Sequence, residues 1–162
     1  MKHLVEFAAG LRGAVVNEPY IEHQFRNCVV RLWPDERYMQ TRFPDGTFCP
    51  AVPVLNAESQ ARARSLGYGE DLARMSVEHE LAHTVLAEAY GLPHSPALWA
   101  VAHGEAPPHN AQLEEATVLG LQRFGREKAW HPILNGLGNV RAVQLALRVK
   151  RIADRLMEVA CV

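Results

Sequence analysis

The 162-residue chain has no excess of charge, no cysteine framework and no long apolar run. Lysine and arginine number 17 against 18 acidic residues, a formal net charge of −1. A general nucleic-acid binder carries a basic footprint, so this balance argues against that class. The three cysteines, Cys28, Cys49 and Cys161, show no paired spacing, which argues against a disulfide scaffold. Cys49 reads as a small core residue. No stretch is long enough to span a bilayer. The opening segment is broken by Glu6 and Arg12 and lacks a signal-peptide core. A cytoplasmic protein with neither membrane nor nucleic-acid partners is therefore expected. The 48% hydrophobic content is enough for one sizeable core, and a single domain over residues 1–162 is expected.

What is present is His79-Glu80-Leu81-Ala82-His83, an H-E-x-x-H pattern. Random placement of such residues in a chain of this size gives roughly 0.03 matches, so its context decides its meaning. Neither Gly nor Pro interrupts Asp71–Glu78 or Thr84–Tyr90, while Gly69 precedes this run and Gly91 and Pro93 follow it. These boundaries predict a helix over about 71–90, with Asp71 as its cap, some 30 Å long at ~1.5 Å per residue. Val77, Leu81, Val85 and Ala89 form an apolar row along it. His79 and His83 are one turn apart on one face, beside that row. Two imidazoles so placed can hold one metal ion, and Glu80 can act as general base on the water that the metal activates.

A catalytic zinc usually takes three protein ligands. The extension that adds a third His six residues on fails here, because that position is Ala89 and its accompanying Gly is absent. The segment from Asn110 to Leu121 offers an acidic pair, Glu114-Glu115, in an otherwise apolar helix that follows Pro107-Pro108. Over residues 72–121 the chain resembles the gluzincin branch of the zincin metallopeptidases. The resemblance rests on His79-Glu80-x-x-His83 and on Glu115-Ala116, which looks like the Glu-Ala pair of that family's glutamate helix. It implies Zn²⁺ held by His79, His83 and Glu115, with Glu80 as the base, in a minimal single-domain metallopeptidase acting on a peptide or protein. Glu114 is a rival third ligand, and His94, His103 and His109 lie in the intervening loop as further candidates. The family often places an Asp shortly after the ligand to orient a histidine. Val118 and Leu119 stand there instead, so this support must come from elsewhere. Tyr68, Tyr90 and His131 are candidate donors to a developing oxyanion. The alternative to a hydrolase is an inactive zincin-like module that binds zinc or another protein.

The fold class expected is α+β, with a small antiparallel or mixed sheet over about 27–55 packed on the motif helix and further helices towards the C-terminus. Residues 2–13 read as a helix. Residues 27–33 and 37–43 read as strands joined at Pro34-Asp35, and 47–55 as a third extended segment that Pro50 and Pro53 confine to an edge. An extended substrate would add to a strand near the metal. The prolines disfavour 47–55, which leaves 27–33 or 37–43. Helices are expected over 57–66, from Ser95-Pro96 to Gly104, over 110–124 and over 140–158, with a loop at 125–139. On the last helix, apolar residues 142, 145, 149, 152, 156 and 159 recur at steps of three and four. They suit packing on the domain's own core, the favoured reading, or a homodimer through this helix.

Overall fold

A computed structural model describes residues 20–34, 37–123 and 138–160. The expected helix at 2–13, the loop at 125–139 with His131, and Cys161 lie outside the described residues. The architecture is α+β. Four strands, β1 (Ile21–Gln24), β2 (Val29–Trp33), β3 (Tyr38–Arg42) and β4 (Phe48–Ala51), form an antiparallel sheet in the order β1-β2-β3-β4. Five helices follow: α1 (Ala57–Ser65), α2 (Leu72–Ala89), α3 (Pro96–His103), α4 (Ala111–Arg123) and α5 (Gly138–Ala160). No described helix is long and apolar enough to cross a membrane.

Register places Val30 opposite Thr41 and Thr41 opposite Cys49, while Leu32 faces Met39 and Met39 faces Ala51. Partners in an antiparallel pair share a face, and so do residues two apart. Val30, Leu32, Met39, Cys49 and Ala51 thus present one surface to the core, where they meet Val77, Leu81 and Val85 of α2. Fully burying a side chain such as Leu81 contributes about 1.5–3 kcal/mol relative to leaving it in water. Leu145, Val149, Ile152 and Leu156 of α5 enter the same core, and Ala142 is also buried. The seam on the last helix is therefore used within the chain.

Strand β1 was not foreseen from the sequence, and β4 is shorter than the expected 47–55. Strands β2 and β3 are both internal, so their ladders are already paired on each side. This corrects the expectation that 27–33 or 37–43 receives an extended peptide. The edge nearer the motif is β4 and the residues after it.

The ends of α2 follow local chemistry. The Asp71 side chain accepts from the Arg74 N–H at 2.9 Å. At the other end Gly91 adopts φ +74°, and the Leu92 N–H returns to the Ala87 carbonyl at 2.9 Å. That six-to-one bond with a left-handed glycine stops the helix one turn and a half after His83. Ser95 caps α3 by accepting from the Leu98 N–H at 3.2 Å, and Gly104 closes α3 at φ +65°.

Candidate metal centre

The spacing of α2 sets His79 and His83 side by side, with ring centroids 5.1 Å apart. Helix α4 packs against α2 and brings the acidic pair to them. Glu115 faces both imidazoles: its Oε2 is 2.8 Å from His79 Nε2 and its Oε1 3.2 Å from His83 Nε2. One ligand atom from each of His79, His83 and Glu115 lies within 4.8 Å of the others, so the group can hold a metal ion. Two donors about 2.05 Å from a tetrahedral ion stand about 3.3 Å apart. The two imidazole–carboxylate separations need to open by only tenths of an ångström. The His83 side chain is 4% exposed and that of Glu115 45%, so the cluster is walled by α2 and open past the carboxylate.

Glu114 takes a different part. Its Oε2 lies 2.7 Å from His83 Nδ1 and also accepts from Ser95 Oγ, while its Oε1 accepts from the Ala97 N–H at 3.1 Å. The carboxylate thus sits on the side of His83 away from Glu115 and is fixed by the first turn of α3. His79 is held in the same manner by a residue the sequence reading missed. Gln122 Oε1 lies 2.8 Å from His79 Nδ1, and its Nε2 donates to Tyr68 OH at 3.1 Å and to the Met75 carbonyl at 3.3 Å. Both Nδ1 atoms therefore donate, which leaves the Nε2 atom of each ring as the one that could ligate a metal. Gln122 is seven residues from Glu115, two turns of one helix, and that spacing was the available signal.

The charges follow from this packing. Burial alone would lower His83, but the carboxylates of Glu114 and Glu115 raise it to about 9. The two imidazoles that face it at hydrogen-bond distance hold Glu115 far below the usual carboxylate range. In the metal-free state, then, His83 carries a second proton on Nε2, directed at Glu115. A metal ion would take that proton's place.

Glu80 differs from its neighbours. Its Oε1 is buried and has no hydrogen-bond partner among the described residues. Burial raises its pKa, with His83 and His79 opposing. A buried carboxylate oxygen is normally hydrogen-bonded, so an orphan beside two convergent imidazoles points to a missing polar ligand. Glu80 and His79 line a cavity of about 150 Å³, walled opposite by Val52 and Pro53 after β4 and by Ser59 and Arg62 of α1.

The other candidates lie apart from this cluster. His94 and His103 stack on the two faces of Trp99, with centroids at 4.1 and 3.9 Å. His103 Nε2 is 2.8 Å from Asp45 Oδ2. His109 is exposed, and none of the three belongs to the metal-binding group. Tyr68 donates to Glu78 Oε1 at 2.5 Å, behind Gln122. Tyr90 lines a different cavity, of about 380 Å³, which lies beyond His83 among Leu86, Leu92 and Leu113. Cys49 is buried outside the group, and burial, with Glu80 nearby, pushes its thiol up to about 12.

Comparison of the chain with protein-family models, with curated proteins and with solved structures gives no match.

Proposed function

We propose that the protein is a zinc-dependent hydrolase, most simply a peptidase, with His79, His83 and Glu115 as metal ligands and Glu80 as general base. The observation that carries this reading is the buried, unpartnered Oε1 of Glu80 beside two Nε2 atoms that converge on one carboxylate. Zinc suits two imidazoles and a carboxylate, and when bound it polarises a carbonyl and acidifies a water. Glu114 and Gln122 hold the imidazoles in one tautomer and orientation. Glu80 Oε1 takes a proton from the attacking water and returns it to the leaving nitrogen, and its raised pKa suits both steps. The cavity between Glu80 and Val52–Val54 gives an extended peptide a place beside the sheet edge. The resemblance to gluzincins supports the same assignment, although Gln122 and Glu114 stand in for that family's Asp. Two orienting groups in place of that Asp favour the hydrolase over a non-catalytic zinc-binding or interaction module.

The test is Glu80→Gln. The purified variant is expected to hold one zinc per chain by elemental analysis. Its cleavage of a mixed peptide library should fall by about 10²–10⁴-fold against the parent. Undiminished cleavage would remove Glu80 from the mechanism.

A further inference from the structure

Behind Gln122 the hydrogen bonds run on to a buried charge. Tyr68, between α1 and α2, donates to Glu78 Oε1 at 2.5 Å. Glu78 is 4% exposed, and its Oε2 accepts from Arg74 Nε at 2.6 Å. Arg74 Nη2 in turn donates to Asp154 Oδ1 of α5 at 2.5 Å. We propose that Glu78, acting through Tyr68, is a positioning residue for the candidate metal centre. It sets which end of the Gln122 amide faces His79, and so keeps Nε2 of that ring available to the ion. The role rests on the metal-binding half of the function proposed above, and adds to it a carboxylate two side chains removed from His79.

The protons give the direction. A phenol has one proton to donate, and an ionised carboxylate only accepts. Tyr68 gives its proton to Glu78, so it offers Gln122 only lone pairs. Gln122 must then present its amino end, and Nε2 donates to Tyr68 OH at 3.1 Å. The Met75 carbonyl, which also only accepts, takes a second bond from Nε2 at 3.3 Å. Oε1 is left for His79 Nδ1, 2.8 Å away. Were the amide turned about, Nε2 would meet Nδ1 and Oε1 would meet the Met75 carbonyl. The His79 proton would then sit on Nε2, where a metal would bind, and the site would lose a ligand.

The two imidazoles are also served unequally. His83 Nδ1 meets the Glu114 carboxylate directly at 2.7 Å, whereas His79 Nδ1 meets a neutral amide. The charge of Glu78 restores part of the difference, because successive hydrogen bonds polarise one another where water is excluded. Gln122 is buried, as Glu78 is. Arg74 holds one oxygen of Glu78 and Tyr68 the other, so turning the carboxylate would break both bonds.

The experiment is a double-mutant cycle on zinc affinity, read with the full chain by competition against a chromophoric chelator. Tyr68→Phe and Glu78→Gln should each weaken zinc binding about three- to tenfold, no more than removal of the ring's own partner. In a Gln122→Ala background each should weaken it less than about twofold, because the amide through which they act is gone. Long-range proton–nitrogen NMR of the zinc-loaded parent should find the His79 proton on Nδ1. A role in folding alone would lower Tm and leave the zinc losses equal in the two backgrounds. Equal losses would therefore overturn the proposal, as would parent-like zinc affinity in both variants. So would a zinc-loaded parent in which His79 is ligated through Nδ1. A parent that binds no zinc would overturn the metal reading itself, and the role of Glu78 with it.

Discussion

Replacing Glu114 tests the proposal that it orients a metal ligand and that Glu115 is one. Glu114 and Glu115 are adjacent, yet Glu115 faces both Nε2 atoms and Glu114 faces only His83 Nδ1. Glu114→Gln keeps an acceptor oxygen for His83 Nδ1, as Gln122 supplies one to His79, and should bind zinc within about tenfold of the parent, whereas Glu114→Ala removes the partner altogether. The loss of an orienting partner typically weakens metal binding 10–100-fold, about 1.4–2.8 kcal/mol. Glu114→Ala should show that loss and a second effect. It leaves the Ala97 N–H and Ser95 Oγ without their acceptor. A buried group so orphaned costs about 1–3 kcal/mol, and in a domain of this size each kcal/mol lowers Tm by roughly 2–4 °C. Metal-free Glu114→Ala should therefore melt about 2–12 °C below the parent. Glu115→Ala removes a ligand outright, and its affinity should fall beyond the hundredfold range. Competition against a chromophoric zinc chelator gives the affinities, and circular dichroism melts of the chelator-treated proteins give Tm. Unchanged zinc affinity in Glu114→Ala would refute the orienting role. Loss of all binding in Glu114→Ala, with near-parent binding in Glu115→Ala, would exchange the two roles.

Three further outcomes follow from the same geometry. Gln122→Ala frees His79 Nδ1 from its acceptor and should weaken zinc binding about tenfold; parent-like affinity in the chelator competition would count against it. Zinc binding at pH 7 should release about one proton, because His83 is protonated without metal and its pKa near 9 lies well above that pH. Calorimetry in buffers of different ionisation enthalpy measures the number, and zero would contradict the protonated His83. Asp45 is lowered to about 2, first by its Thr47 hydrogen bond and then by His103, and His103 is raised by Asp45. The raised His103 stabilises fully below its unfolded value of about 6.5, and that contribution is lost as pH rises through its folded pKa. The lowered Asp45 stabilises fully above about 3.9 and loses its contribution as pH falls towards 2. The pair therefore contributes most between about pH 4 and 6.5. In an NMR titration His103 should titrate above 6.5 in the parent and fall in Asp45→Asn; an unmoved midpoint would show that the ion pair is not the cause.

The elements were legible where local chemistry sets them. Asp71, Gly91, Ser95 and Gly104 mark helix ends through bonds to their own neighbours, so the bounds of α2 and α3 could be placed within a residue or so. The sheet was less so. β1 is a short segment whose alternate residues are exposed, and its partner β2 lies across a turn that carries no Gly or Pro signal. Which strands lie at an edge is a property of the whole sheet, and so the docking strand was misassigned to internal β2 and β3.

The spacing of His79, Glu80 and His83 was fixed by the chain itself, because a helix repeats every 3.6 residues and puts i and i+4 on one face. The sequence by itself also determined the class of fold and narrowed the third ligand to a few carboxylates and histidines. Only the packing of α4 on α2 set which of them faces both Nε2 atoms. Glu114 and Glu115 are about 100° apart around one helix axis, so the rotation of α4 against α2 sends one to the Nε2 atoms and the other to Nδ1. The same docking seats Gln122 on His79 and opens the apolar cavity beyond His83. Those are contacts between surfaces distant in sequence, set by how two helices nest, and no local pattern encodes them.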